Sequence, residues 1–372
     1  MIIILKPEIG PESEEFKKIR EYLSRFEGIR LHVAQYEGVT RKVIEIHLIG
    51  DTQRVPLEEV QALPGVERAI RVSAKYRRIG RHGTLEPFGF EYQGLRFDQD
   101  SFHIFAGLCA VDSRENAEAI FKALSEAGIV TARMGAYKPR TSPYDFQGLG
   151  KECLPWLFEL AGKYGIRVIA MEVLAPHHIE EIHEALEQTG HPTGVMLQIG
   201  TRNAQNFELL RAVGSQTEFP VLYKRGMGLS LEESLNACEY IASEGNHRIV
   251  FCLRGVRTHL GDPHRNLVDF GHVPVVKRLT RLPVCVDPSH PIGSRAEAPD
   301  GIRDIYHVAA QGVIAGANMV LVEFHPRPEA ALCDGPQALY LEELPRFLEH
   351  MRIAREAYLA MKKLAEKYRG KV

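Results

Sequence analysis

From Ser101 onward, short apolar runs alternate with longer stretches whose apolar positions recur every three or four residues. Eight runs can be read in order: "FHIFAGLC", "IVTARMGA", "IRVIAMEV", "GVMLQIG", "PVLYKRG", "RIVFCLRG", "PVCVDPS" and "MVLVEFH". Between them, "SRENAEAIFKALSEAG", "LPWLFELAGKYG", "IEEIHEALEQTG", "AQNFELLRAVG", "SLEESLNACEYIASEG" and "IRDIYHVAAQGVIAGA" carry helical periodicity. Several of these close on Gly, which suits a helix C-terminus. Near-continuous apolar strands separated by helices predict a parallel sheet covered on both faces. Eight repeats within residues 101–372 match a closed (β/α)8 TIM barrel. A doubly wound open sheet is the weaker match, because no Gly-rich dinucleotide fingerprint follows the first strand.

Residues 1–74 follow another order: strand "MIIILKP", helix "PESEEFKKIREYLSRF", strands "RLHVAQYE" and "RKVIEIHLIG", helix "PLEEVQAL", strand "VERAIRVSAKY". This βαββαβ pattern predicts a small α+β, ferredoxin-like domain, suited to regulation or assembly. Residues 75–100 read as a linker rich in Gly, Arg and His, then a hairpin in "GFEYQGLRF" around Gln93-Gly94, placed to close the N-terminal end of the barrel.

Barrel enzymes build their sites at the C-terminal ends of the strands, so polar residues there are the candidates. Strand 1 ends at Cys109 and strand 3 near Glu172. Strand 2 carries Arg133 and leads to Lys138, Arg140 and Thr141 in "GAYKPRTSPYDF". Strand 4 leads to Arg202, strand 5 delivers Lys224 and Arg225, and strand 6 delivers Arg254. Strand 7 leads to Asp287 and His290, and strand 8 to Glu323 and His325. Six cations around one mouth, Arg133, Lys138, Arg140, Arg202, Lys224 and Arg254, need anions to offset their repulsion. Phosphate, with its charge and three acceptor oxygens, matches guanidinium forks. Two phosphorylated substrates, or a phosphate and a carboxylate, fit that charge. Cys109, His290, Glu323 and Asp334 come from strands 1, 7 and 8 and the loop beyond, which become neighbours when the barrel closes. A thiolate, an imidazole and two carboxylates suit one divalent metal ion such as Mn2+, Fe2+, Co2+ or Zn2+. His325 is read as a packing or supporting residue.

Composition changes this picture little. With 45% hydrophobic and 25% charged residues and a net charge of −2, the chain has no general electrostatic affinity for nucleic acid or membrane. No stretch approaches the ~20 apolar residues of a membrane span, and "MIIILK" is too short for a signal-peptide core, so a cytoplasmic location is expected. The six cysteines lack paired spacing and are expected as reduced, buried thiols.

The segments "GAYKPRTSPYDFQGLG", "QIGTRNAQNF", "LYKRG", "LRGVRT", "VDPSH", "VEFHPRPEAALCDGPQAL" and, less closely, "FAGLCAV" resemble the 3-deoxy-D-arabino-heptulosonate 7-phosphate (DAHP) synthases. The likeness is to the type I branch with an N-terminal ferredoxin-like domain. The resemblance implies condensation of phosphoenolpyruvate with D-erythrose 4-phosphate and water, giving DAHP and phosphate at the entry to the shikimate pathway. It assigns Arg133, Lys138, Arg202, Lys224 and Arg254 to phosphoenolpyruvate, and Arg140 with Thr141 to the sugar phosphate. Cys109, His290, Glu323 and Asp334 fall on the metal ligands, and Glu172 on an acid near the attacking water. Lys224 and Glu172 are the candidates for handling the proton of that water, and Lys138 is counted with them as catalytic. It also implies feedback inhibition by tyrosine or phenylalanine and a homotetramer.

This sequence departs from the family pattern at Leu108 and Ala110, where Pro and Ser are usual, at Leu253 in place of Glu, and at Pro291, Ile292 and Gly293 in place of Ser-Gly-Gly. Two other readings compete. One is a related synthase using another aldose phosphate, such as arabinose 5-phosphate, against which "KPRTS" stands. The other is a non-catalytic, ligand-sensing barrel.

Overall fold

The computed structural model describes residues 1–37, 42–72, 76–81 and 89–369. At the N-terminus, β1 (Ile2–Leu5), α1 (Glu14–Ser24), β2 (Arg30–Glu37), β3 (Lys42–Ile49), α2 (Leu57–Gln61) and β4 (Val66–Ile70) follow the predicted order. The sheet runs β2-β3-β1-β4, and each pairing in it is antiparallel. Ser13 caps α1, its Oγ accepting from Phe16 N at 3.3 Å. Phe16, Ile19 and Leu23 of that helix then meet Ile3, Ile46 and Leu48 of the sheet in a core of their own.

Part of the predicted linker, 75 and 82–88, lies outside the described residues, as do 73 and 74 near the end of the predicted strand "VERAIRVSAKY". The hairpin that follows is present as β5 (Phe90–Tyr92) and β6 (Leu95–Phe97). Gln93 and Gly94 both have positive φ, 50° and 67°, as a two-residue turn matched to strand twist requires. Its apolar side packs with Phe105, Met196, Val250, Cys285 and Met319 from the inward faces of the barrel strands, so the hairpin stoppers the barrel.

The barrel strands are β7 (His103–Leu108), β8 (Thr131–Met134), β9 (Val168–Val173), β10 (Gly194–Ile199), β11 (Val221–Lys224), β12 (Ile249–Leu253), β13 (Val284–Val286) and β14 (Met319–His325). Each pairs in parallel with the next, and β14 pairs with both β13 and β7, which closes the ring. Outside it lie α3 (Arg114–Glu126), α4 (Leu154–Lys163), α5 (His177–Thr189), α6 (Phe207–Ser215), α7 (Leu231–Glu244), α8 (Val273–Leu279), α9 (Ser289–Ile292) and α10 (Asp304–Ile314). A two-residue strand, β15 (Leu339–Tyr340), and a long helix, α11 (Leu344–Tyr368), follow. The eight strands and six helices of the sequence reading are all present. The reading did not name α8 and α9, since each is too short for two turns of periodicity and contains Pro, nor α11, which follows the last strand.

The small domain meets the barrel through a buried ion pair. Arg281, just before β13, donates to Glu45 on β3 at 2.8 and 3.4 Å, and His47 Nε2 lies 2.9 Å from the same carboxylate. Burial alone would raise the Glu45 carboxyl, but Arg281 and His47 outweigh it and lower it from 4.5 to about 2. A depressed folded value stabilises above the unfolded value and loses that contribution as pH falls toward the folded one. The stability gap between the natural chain and Glu45→Gln, read from denaturant unfolding, should therefore narrow by on the order of 2 kcal/mol from pH 7 to pH 3. An equal gap at both pH values would remove Arg281 and Glu45 as an acid-sensitive contact.

Candidate active site

Strand register explains the centre of the site. Glu323 on β14 stands opposite Gly107 on β7, and Gly107 stands opposite Arg133 on β8. With no side chain at Gly107, Arg133 reaches over it to Glu323 Oε1 at 3.2 Å, and to Cys109 Sγ at 3.1 Å. Gly107 has φ of 144°, and a Cβ there would lie 2.4 Å from the Arg133 carbonyl. Lys138, from the loop after β8, places Nζ 2.5 Å from Cys109 Sγ and 3.2 Å from Asp334 Oδ2. Just after β13, Asp287 accepts from Lys224, and its Oδ2 lies 2.7 Å from Nδ1 of His290 on α9. In β9 and β10, Glu172 and Gln198 are in register, and Gln198 Nε2 approaches Glu172 Oε2 at 3.4 Å. Gly200 leaves room for that carboxylate, since a Cβ there would fall 1.7 Å from Glu172 Oε1.

The ligand atoms of Cys109, His290, Glu323 and Asp334 lie within 4.8 Å of one another. Burial holds His290 well below its ordinary value, so its imidazole is neutral and has a lone pair to offer. Its Nδ1, close to Asp287 but out of line, has no hydrogen-bond partner. The Cys333 thiol and burial hold the Cys109 thiol well above its usual range, and burial with Cys109 does the same to Glu323. Asp334 goes the other way. Burial would raise it, but the Lys138 charge, with hydrogen bonds from the Cys333 and Cys109 thiols, outweighs that and holds it far below the usual carboxylate range. One thiol, one imidazole and two carboxylates converging in a buried spot fit a divalent first-row metal. A divalent charge there offsets the crowding that keeps Cys109 and Glu323 protonated.

Above this cluster, one cavity is lined by seven cations: Arg133, Lys138, Arg140, Arg202, Lys224, Arg254 and Arg265. Thr141, Glu172, His290 and Asp334 line it too. Arg254 is the most informative. It is 2% exposed, Nε has no hydrogen-bond partner, Nη1 reaches only the Gly255 carbonyl at 3.4 Å, and burial lowers its pKa. A buried guanidinium so poorly satisfied calls for an anion from outside the chain. At the mouth, Arg140 Nη2 lies 3.2 Å from Asp145 while its Nη1 is unpartnered, and Arg202 Nη2 comes within 3.5 Å of Thr141 Oγ1.

Two of the strand-end residues turn elsewhere. Arg225 pairs with Asp269 at 3.0 Å and with the Leu229 carbonyl, securing the loops after β11 and β12. His325 Nε2 meets Asp112 at 2.8 Å, a supporting contact at the foot of the loop after β7.

The sequence reading missed Arg265, Asn266 and Gln337, which brace the metal cluster. In the loop after β12, Arg265 N and Asn266 N donate to the carbonyls of Ile292 and Pro291, and Asn266 Nδ2 donates to that of His290. Arg265 Nη1 reaches Asp334 Oδ1 at 3.5 Å and Gln337 Oε1 at 2.9 Å, and Gln337 donates to Glu323 Oε2 at 2.9 Å. One dipeptide thus fixes three of the four candidate ligands. Only its position between strands 6 and 7 hinted at this, since no strand ends on it.

A closed barrel with a cation-lined mouth above a Cys-His-Glu-Asp cluster marks a site suited to anionic ligands beside a metal ion. Comparison with known proteins narrows the reading. Residues 90–360 match the model of the DAHP synthetase I family, and residues 1–74 that of the DAHP synthase ferredoxin-like domain. The chain belongs to the DAHP synthetase I family. It is 38% identical to phospho-2-dehydro-3-deoxyheptonate aldolase of Thermotoga maritima over 95% of this chain and 97% of that one. The crystal structure of a Thermotoga maritima enzyme of that name, also titled DAHP synthase, superposes with a TM-score of 0.67 at 34% identity, covering 98% and 97% of the two chains. A 2-dehydro-3-deoxyphosphooctonate aldolase of Syntrophobacter fumaroxidans is 29% identical over 76% of this chain and 98% of its own.

Proposed function

We infer that the barrel condenses phosphoenolpyruvate with D-erythrose 4-phosphate and water to give DAHP and phosphate, the first step of the shikimate pathway. The observation that carries this reading is Arg254, buried with its Nε unpartnered, in a cavity with six further cations directly above the Cys-His-Glu-Asp cluster. Arg133, Lys138, Arg202, Lys224 and Arg254 bind the phosphate and carboxylate of phosphoenolpyruvate. Already held in place by Glu323, Asp334 and Asp287, three of these cations need little rearrangement to do so. Arg140 and Thr141 bind the sugar phosphate. Cys109, His290, Glu323 and Asp334 hold one divalent metal ion, which when bound polarises the aldehyde carbonyl as a Lewis acid. The enol carbon of phosphoenolpyruvate attacks that carbonyl, water adds to the carbon bearing phosphate, and phosphate departs. Glu172, backed by Gln198, and Lys224, backed by Asp287, handle the proton of the water.

Phosphate release, measured alongside metal analysis, tests the assignment with erythrose 4-phosphate against arabinose 5-phosphate. The likeness to an octulosonate aldolase makes the second sugar the proper competitor, and a preference for it would overturn the reading. Arg140→Ala should raise KM for the sugar phosphate about 10- to 100-fold, the worth of a charge-assisted hydrogen bond, with KM for phosphoenolpyruvate nearly unchanged. The reverse pattern would exchange the two half-sites.

Three finer assignments belong to the same reading. Residues 1–74 form the regulatory domain, 75–100 the linker and hairpin, and 101–372 the catalytic barrel. Tyrosine or phenylalanine inhibits through the small domain of a homotetramer, which inhibition assays on the full chain with each amino acid test. No helix among the described residues is long and apolar enough to cross a membrane, in keeping with work in the cytoplasm.

A further inference from the structure

Of the four candidate metal ligands, Asp334 alone has a left-handed backbone, with φ of 54° and ψ of 23°. Outside glycine that conformation is disfavoured. Asp tolerates it better than most residues, yet it persists only where neighbours hold it. The turn that Asp334 starts is tight. Gln337 N and Ala338 N donate to the Asp334 carbonyl at 3.1 and 3.3 Å. Gly335 packs against the facing side of the loop, where a Cβ would lie 2.5 Å from the Pro328 carbonyl.

Arg295 grips this turn from outside. It follows α9, the helix that carries His290, and its own carbonyl is fixed by Arg303 Nη1 at 2.7 Å. Its Nη1 donates to the Gly335 carbonyl and, at 3.0 Å, to that of Ala338. Its Nη2 lies 3.4 Å from Glu329 Oε1, and its guanidinium stands 5.1 Å from the centre of the Tyr340 ring. A rigid fork thus joins both ends of the turn to the segment that bears another ligand, a task for which a lysine's single compact charge is poorly shaped. Arg295 does not line the cavity, so what it does to the reaction passes through Asp334.

We propose that Arg295 is a positioning residue for the metal ion, holding Asp334 in the left-handed turn that aims its carboxylate at Cys109, His290 and Glu323. The inference rests on the assignment of the ion to those four side chains. With the turn held, the ion meets a preformed site. Without Arg295 the turn relaxes toward commoner backbone conformations, and the ion binds only the fraction of chains still in the competent one. Apparent affinity falls by that fraction, whereas the site once filled is the natural one.

Titration of the chelator-stripped full chain with Co2+, followed by absorption, tests this at a temperature where circular dichroism shows each variant folded. Arg295→Met keeps an apolar stem against Tyr340 and removes the fork. Its Kd for Co2+ should rise about 10- to 100-fold, the usual effect of losing an outer contact to a metal ligand. Arg295→Lys should recover only part of that loss. With Co2+ in large excess, the absorption spectrum and kcat should return to those of the natural chain. An unchanged Kd in Arg295→Met, with or without a lower thermal midpoint, would make the residue a structural clasp and overturn the proposal. So would a spectrum or kcat that stays altered at saturation, since Arg295 would then shape the filled site itself. An equal loss in Glu329→Gln would assign the effect to the ion pair and refute the grip on the carbonyls. Failure of the natural chain to bind Co2+ at all would instead strike the metal assignment beneath the inference.

Discussion

Cys109→Ala is expected to lose bound metal and, with it, turnover. Outer contacts to metal ligands typically cost 10- to 100-fold in affinity, and removal of a ligand should exceed that, so metal content after gel filtration should fall to background. The fold should survive, because the thiol sits among Ala110, Cys333 and Phe146 at the barrel mouth rather than in the strand core. Metal analysis and circular dichroism on the same sample separate the two effects. Full metal content with full activity would remove Cys109 from the site, and Arg133 and Lys138, which converge on its sulfur, would need another explanation.

Arg254→Met should separate binding from stability in the opposite sense to an ordinary core mutation. The guanidinium is buried with an orphaned Nε and an outward shift in favour of losing its charge, so removing it relieves an uncompensated cost. The thermal midpoint without substrate should stay level or rise. Saturating phosphoenolpyruvate, which at 100 times its Kd stabilises a single-site protein by about 2.7 kcal/mol, should then stabilise the variant hardly at all. Loss of two charge-assisted hydrogen bonds corresponds to a fall in kcat/KM for phosphoenolpyruvate of about 10^2- to 10^4-fold. A variant that melts well below the natural chain yet binds phosphoenolpyruvate normally would make Arg254 a structural residue.

The barrel was legible because its strands are buried on both sides and therefore read as unbroken apolar runs, each ending in a residue that the folded interior does not tolerate unpaired. Cys109, Glu323 and Arg254 stood out for that reason. The seven-cation cavity was visible as six, because Arg265 lies in the middle of a loop, where no periodicity marks it. Arg225 shows the converse limit. As a strand-end cation it is indistinguishable in sequence from Lys224, and only the fold reveals that alternation along the strand turns one toward Asp287 in the site and the other toward Asp269 outside it. The link between Gln337 and Glu323 was also out of reach, since it depends on the path of the chain after the last strand.

The segment through β13 has a consequence for how the two domains influence each other. Arg281, at its start, holds Glu45 of the small domain, and Asp287, at its end, holds Lys224 and lies against His290. Five residues, Leu282 to Val286, separate these contacts, about 20 Å at the rise of extended chain. None of the residues lining the mouth comes from residues 1–72. The Arg281–Glu45 contact thus ties the small domain to the same short segment that positions a lysine and a histidine at the other end of the barrel.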